Sequence, residues 1–225
     1  MGQEAVSIRH HCRNTNVRGQ AKKTKQPRQT MKELLRQFLS QFKELTEKQV
    51  QELSQIMTVV EFKINNNLVN EGQKCNLCYF VLKGCLRQYI IQDGVEKTIA
   101  IYTENQAVNY YSNQIEQQKS ESYLTSVEDS VLLVGNPEND KELLSKFPIL
   151  ADITRKMIET ELGKTQNTLA KLITSSPEQR YLNLLSERPE LVQRVPQHII
   201  ASYLGVTPES LSRIRKRIVK KSIKN

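Results

Sequence analysis

From Met31 the apolar residues Leu34, Leu35, Phe38, Leu39, Phe42 and Leu45 recur at helical spacing, and Thr46 with Gln49 is spaced as a capping box opening a second helix. The period then falls to two. Val60, Phe62 and Ile64 alternate with polar residues, Asn65-Asn66-Asn67 makes a turn, and "CYFVLKGCLRQYII" is rich in β-formers. Asp93-Gly94 is a hairpin signal with "KTIAIY" as its return strand, and "YLTSV" and "SVLLV" add further short strands. Short strands and tight turns across residues 58–134 predict an antiparallel barrel or jelly roll. Pro137 and Pro148 frame a short helix. Residues 149–174 then run without proline, and Ile149 or Leu150, Ile153, Met157, Leu162, Leu169 and Leu172 make an apolar seam that Gly163 and Thr165 weaken. Such a helix can pack on its own barrel or pair with its twin in a dimer.

The pattern changes again at Ser176. Ser176 is placed as an N-cap, with Pro177 at the first helical position and Gln179 closing a box. Pro196 starts a helix whose apolar face is Ile199, Ile200, Tyr203 and Leu204, with Ala201 offering a small packing surface. After the turn Leu204-Gly205-Val206, Thr207 caps another helix and Pro208 fits its first turn. On that helix Leu211, Ile214 and Ile218 share one stripe. With Leu211 at zero, Lys216 lies at about 140°, Glu209 at about 160°, Lys220 at about 180°, Arg213 at about 200° and Arg217 at about 240°. One face is packed and the opposite face is basic, with one carboxylate at its N-terminal end. Helix, glycine turn, basic helix is the order of a helix-turn-helix, whose second helix enters the major groove. An ordinary helical hairpin would not need the charge, so DNA binding is the favoured reading. A protein of this kind reads two half-sites, which favours a homodimer through the long helix.

Charge distribution sharpens this picture. The net charge is +9, but residues 176–225 hold ten Lys/Arg against four Asp/Glu, whereas residues 31–175 hold sixteen against nineteen. Nucleic acid therefore meets the C-terminal part only. Residues 1–30 hold seven basic residues against Glu4 and lack apolar periodicity, which predicts disorder. They are either a basic arm for phosphate or translation from an upstream start. No apolar run approaches about 18 residues, so neither export nor a membrane span is expected and the cytoplasm is the expected compartment.

A small roll, a long helix and a C-terminal helix-turn-helix, in that order, resemble the Crp/Fnr superfamily of transcription regulators over about residues 31–220. The residues that carry the resemblance are Glu71-Gly72, Tyr79 to Gly84 and Asp93-Gly94 in the roll, then Ile200-Ala201, Leu204-Gly205-Val206 and Thr207 to Ile214. The resemblance implies an α+β chain: a tail at 1–30, a cyclic-nucleotide-binding-like antiparallel β-roll at 31–148, a dimerisation helix at 149–174 and a winged helix-turn-helix at 175–225. Its implied base contacts are Glu209, Arg213 and Ser210, with Thr207, Lys216, Arg217 and Lys220 on phosphates. The implied dimer interface is Ile153, Met157, Leu162, Leu169 and Leu172, and the implied partners are double-stranded DNA and RNA polymerase. Pro208 stands where well-known members carry arginine, so base preference should differ.

The family's cyclic-nucleotide sensors bind the phosphate through a glycine and glutamate followed by an arginine and a small hydroxyl residue. "AVNYYSNQIEQQKSESYLTSVEDS" has no glycine, and Ser120-Glu121-Ser122 occupies the place of the arginine and its partner. A glutamate there repels phosphate and Lys119 cannot make a bidentate contact, so no cyclic AMP is expected. The roll either takes another small molecule through Tyr102, Tyr110, Tyr111 or Tyr123, or has no effector. Cys75, Cys78 and Cys85 give C-x2-C-x6-C with Cys12 remote. Because Cys78 and Cys85 fall in or beside strands, reduced core thiols are expected rather than an iron–sulfur or zinc site. His10, His11 and His198 are the only histidines and no phosphate loop or nucleophile elbow occurs, so no enzyme is expected. The alternative from another class is a ligand-sensing signalling module that does not bind DNA.

Overall fold

The computed structural model describes residues 27–109 and 119–222. The reading of residues 1–30 falls almost wholly outside them, although helix α1 (Pro27–Leu39) begins four residues ahead of Met31. Helix α2 (Glu47–Ile56) follows, with both bonds of the capping box formed: the Gln49 amide donates to Thr46 Oγ1 and the Thr46 amide to Gln49 Oε1.

Eight strands make the roll: β1 (Thr58–Phe62), β2 (Asn67–Val69), β3 (Cys78–Lys83), β4 (Leu86–Gln92), β5 (Val95–Tyr102), β6 (Ala107–Asn109), β7 (Tyr123–Ser126) and β8 (Ser130–Gly135). They pair antiparallel in two four-stranded sheets, β1-β8-β3-β6 and β2-β7-β4-β5. The register Gln92↔Val95 closes the hairpin at Asp93-Gly94. Ile64 lies beyond β1 and is exposed, because the chain turns at Lys63–Asn66 before its alternation is used. The interior holds Leu68, Val69, Val81, Leu86, Leu124 and Leu132. Gly84 crosses so close to Ser130 that a Cβ would lie 2.2 Å from its hydroxyl, so no side chain fits there.

Helix α3 (Pro137–Lys146) leads into the long α4 (Ile149–Thr174), about 39 Å of helix at 1.5 Å per residue. The first turns of α4 belong to the chain's own core. Leu150 and Ile153 are buried with Leu35, Phe38, Leu53, Phe80 and Phe147, and Met157 packs against them half-buried. Beyond Met157 most of the helix is exposed, although Thr160, Glu161 and Lys164 still border the roll at Asn105 and Ala107 and Lys171 pairs with Glu187.

Four helices complete the chain: α5 (Pro177–Glu187), α6 (Pro189–Arg194), α7 (Gln197–Tyr203) and α8 (Pro208–Ser222). Ser176 caps α5 by accepting from the Gln179 amide, but the Gln179 side chain donates to Asn183 instead of returning to the cap. No strand follows β8 among the described residues, so the implied wing is absent from 175–222. Pro189 and Pro196 explain this: each lacks a ladder donor, and Pro189 starts a helical turn, α6, between α5 and α7.

The helical end shares a core with the roll. Cys85, Ile101 and Val127 pack with Leu184, Leu191, Val195, Ile200, Leu204, Leu211 and Ile214. Strand β5 is a sheet edge, and Ser202 of α7 covers it: the Thr98 amide donates to Ser202 Oγ at 2.9 Å, and that hydroxyl donates to the Glu96 carbonyl at 3.1 Å.

Candidate nucleic-acid interface

Helix α8 is set on the molecule by its apolar stripe. Leu211 and Ile214 are buried and Ile218 packs beside them, so the other side of the helix must face outward. Gly205 fixes the angle between α7 and α8. It holds φ +67°, a left-handed value that favours glycine, and a Cβ there would lie 3.2 Å from the Arg180 guanidinium. The Val206 amide closes the turn by donating to the Ala201 carbonyl at 3.0 Å. Ala201 is fully buried, as its small size allows.

The N-terminal turn of α8 is organised around Thr207. Its hydroxyl accepts from the Ser210 amide and donates to Ser210 Oγ, both at 3.2 Å, and Arg213 Nη2 donates to the same Ser210 oxygen at 3.3 Å. Pro208, Glu209, Ser212 and Arg213 line an open cleft beside these groups. The Glu209 carboxyl is held below its ordinary range, first by its own backbone amide, then by the Thr207 hydroxyl and the nearby Arg213 charge. One turn of helix therefore presents a carboxylate acceptor, a hydroxyl and a guanidinium fork to solvent. These are the groups that bond cytosine N4 and guanine O6 and N7 in a major groove.

Further along, Lys216 and Lys220 are exposed and have no ion pair among the described residues. Arg217 differs: it sits on the same helix but donates to Glu178 of α5 at 2.9 Å, as Lys221 does at 2.8 Å. Arg217 thus has a partner within the chain, unlike Lys216 and Lys220, while its side chain stays 60% exposed. His198 is exposed on α7.

The long-helix residues divide. Ile153 is 6% exposed and belongs to the core beneath the roll, so it cannot serve a dimer interface, and Met157 leans on that same core. Leu162, Leu169 and Leu172 are exposed at 57%, 55% and 44%, and Ile158, absent from the sequence reading, joins them at 54%. Ile158, Leu162, Thr165, Leu169 and Leu172 step by alternating intervals of four and three, the spacing of a two-stranded coiled-coil seam.

In the roll, Tyr102 and Tyr123 do not meet. Tyr102 donates to Gln88 Oε1 at 2.8 Å, and Gln88 donates onward to Ser122 at 2.8 Å, toward the roll interior. Tyr123 stacks on Tyr89 at 5.0 Å, with Arg87 over Tyr89 at 4.4 Å. Gln88 and Tyr89 are consecutive on β4 and point to opposite faces, so the two tyrosines line no common pocket. Tyr110 and Tyr111 lie outside the described residues. The cysteines are also separated: Cys75 is in the roll interior and Cys85 in the core shared with α5–α8. Burial, first among causes, pushes the Cys78 and Cys85 thiols up to about 12. Among the described residues no three His, Cys, Asp or Glu side chains gather as a metal-ligand group, and no helix is long and apolar enough to cross a membrane.

Comparison with solved structures decides the architecture. A CooA mutant from Carboxydothermus hydrogenoformans matches with a TM-score of 0.60 at 17% identity, covering 81% of this chain and 83% of that one. FixK2 from Bradyrhizobium japonicum matches at 0.59 and 17%, over 75% and 87%. The chain has the Crp/Fnr fold. CLP of Xanthomonas campestris, a c-di-GMP responsive global regulator, shares this fold at a TM-score of 0.57 and 19% identity, over 75% of this chain and 89% of that one. No family model and no curated protein sequence matches the chain. Within the Crp/Fnr fold, α7 and α8 stand as the helix-turn-helix pair and α4 as the connecting helix.

Proposed function

We propose that the chain is a sequence-specific DNA-binding transcription regulator that acts as a homodimer. The observation that carries this reading is the outward face of α8, where Glu209, Arg213, Lys216 and Lys220 are all exposed opposite the buried Leu211 and Ile214. A helix that needed only to pack has no use for a guanidinium and two ammonium groups on one exposed side that make no ion pair among the described residues. Thr207 and Ser210 complete the first turn, where a phosphate and a base edge fall within reach of a helix seated in the major groove.

The dimer in this reading forms through Ile158, Leu162, Leu169 and Leu172, which places two α8 helices on successive turns of the duplex. The chain works in the cytoplasm, bears no catalytic role and engages RNA polymerase. Its roll uses no cyclic AMP, because neither Glu121 nor Ser122 supplies a guanidinium for a cyclic phosphate and the Ser122 amide already donates to Ser120 Oγ. Selecting bound sequences from a random DNA pool tests the reading. A two-fold symmetric site with half-sites about 34 Å apart is expected. Failure to enrich any sequence would leave a ligand-sensing module without DNA binding.

A further inference from the structure

Glu178 is the second residue of α5, and its carboxylate lies between two cations of α8. Arg217 Nη1 is 2.9 Å from one oxygen and Lys221 Nζ is 2.8 Å from the other. Three features make this a built arrangement. Ser176 caps α5, so Glu178 occupies a formed first turn where the helix dipole favours negative charge. Arg217 and Lys221 are four residues apart on α8, so both reach one carboxylate from the same helix face. The Glu178 side chain is only 22% exposed while the cations are 60% and 67% exposed, so the acid is fixed and the cations keep donors toward solvent. These two cations stand at about 240° and 280° on the α8 wheel, on the flank of the face that holds Arg213 and Lys220.

A DNA phosphate reaching that flank meets two cations whose charge a carboxylate already offsets. Non-specific affinity is set by how many phosphates the cations neutralise, whereas base contacts choose the site. At a preferred site, Glu209 and Arg213 seat α8 in one position. On random DNA the helix is free to shift toward whatever phosphates its cations can reach, so freed flank cations strengthen random binding most.

We propose that Glu178 acts as an internal phosphate mimic, withholding Arg217 and Lys221 from the DNA backbone and so raising the ratio of specific to non-specific binding. This rests on the DNA-binding reading above and assigns its specificity to a residue outside the recognition helix.

The test uses the full chain, a selected operator duplex and a random duplex of equal length, titrated between 50 and 200 mM salt as about the physiological range of such measurements. Glu178→Gln should steepen the slope of log affinity against log salt by about 0.9 for each cation released. One release per subunit of a dimer widens the affinity drop across that range by about tenfold, and more on random DNA than on the operator. Arg217→Gln supplies the second arm, valid even if the Glu178 variant folds poorly. In the parent chain it should leave the random-DNA slope unchanged, because Arg217 is already withheld. In the Glu178→Gln background it should remove the gain. If Arg217→Gln lowers the parent slope as much as Lys220→Gln does, Arg217 already binds phosphate and the inference falls while DNA binding stands. If a well-folded Glu178→Gln chain keeps the parent slope and ratio, the inference also falls. A parent chain with no affinity for either duplex removes the DNA-binding reading itself.

Discussion

Arg194, at the end of α6, grips Glu104 in the β5–β6 turn with both ends of its guanidinium, Nη1 at 2.8 Å and Nη2 at 2.9 Å. The same Nη2 donates to the Gly84 carbonyl at 3.0 Å and to Glu128 at 2.5 Å, and the Gly84 amide returns a bond to Glu104 at 2.8 Å. Arg188 makes a parallel contact, donating to the Ile101 carbonyl and to Thr103 and Gln106. The helix-turn-helix end is thereby fastened to the roll by two arginines around one shared core.

Arg194→Ala should therefore destabilise the chain by about 1–3 kcal/mol, since it strips two partly buried carboxylates and a carbonyl of their donor. The contribution is pH-dependent. Burial raises the Glu104 carboxyl, but the Arg194 bonds and the Gly84 amide outweigh it, and the net position is below the ordinary value. A carboxyl depressed in the folded state stabilises fully above its unfolded value of about 4.3, and that stability fades as pH falls through the folded value. Thermal unfolding of the parent and Glu104→Gln should differ at pH 7 and converge in strong acid. A gap that persists unchanged into strong acid would mean that Glu104 acts by packing alone.

The long helix separates core residues from exposed apolar ones residue by residue. Leu162→Glu with Leu169→Glu should leave the fold intact and yield monomers in sedimentation, near 26.0 kDa instead of about twice that mass. Ile153→Ala should behave oppositely, costing about 2–5 kcal/mol of stability without changing the subunit count. Monomers from the parent chain at micromolar concentration would remove the dimer.

The apolar residues from Ile153 to Leu172 divide for a physical reason. On the helix wheel Met157 lies about 40° from Ile153, whereas Leu162 and Leu169 lie about 160–180° round from it, so these apolar positions belong to two faces, one turned to the chain's core and one to solvent. The partners of Ile153, such as Leu35 and Phe80, lie in elements far from it in sequence. The turn and stripe of α7–α8 were legible because every signal there is local: Thr207 to Ser210, Ala201 to Val206, Leu211 to Ile214. Strands β2 and β6 span three residues each, too few to establish alternation. Arg188, Arg194 and Glu178 gave no local signal at all. Apart from Glu190 beside Arg188, their partners lie 39 or more residues away, and a lone Arg or Glu on a helix looks solvated until the fold brings its counterpart.

The thiols offer a separate check. With Cys78 and Cys85 pushed up to about 12, the thiolate fraction at pH 8 is about one in ten thousand, and only the thiolate attacks a disulfide reagent. In a Cys12→Ser chain, Ellman-type labelling of native protein should be slow and should complete only on unfolding. Rapid labelling of the native chain would show a reactive thiol that this packing does not provide.

Arg213 and Lys220 share the exposed side of α8 but occupy different distances from its capped end. Arg213 lies one turn beyond Glu209 and is steadied by Ser210, so on the proposed DNA-binding reading its fork would meet a guanine edge. Lys220 lies near the far end, where the groove wall offers phosphate. Arg213→Ala should cost about 1–3 kcal/mol on the selected site and flatten preference at one base position per half-site. Lys220→Ala should weaken all sequences alike and reduce the salt slope by about one per subunit. Fluorescence anisotropy on operator and random duplexes distinguishes the two roles. Equal loss on both duplexes for Arg213→Ala would make α8 a clamp on phosphate that reads no sequence.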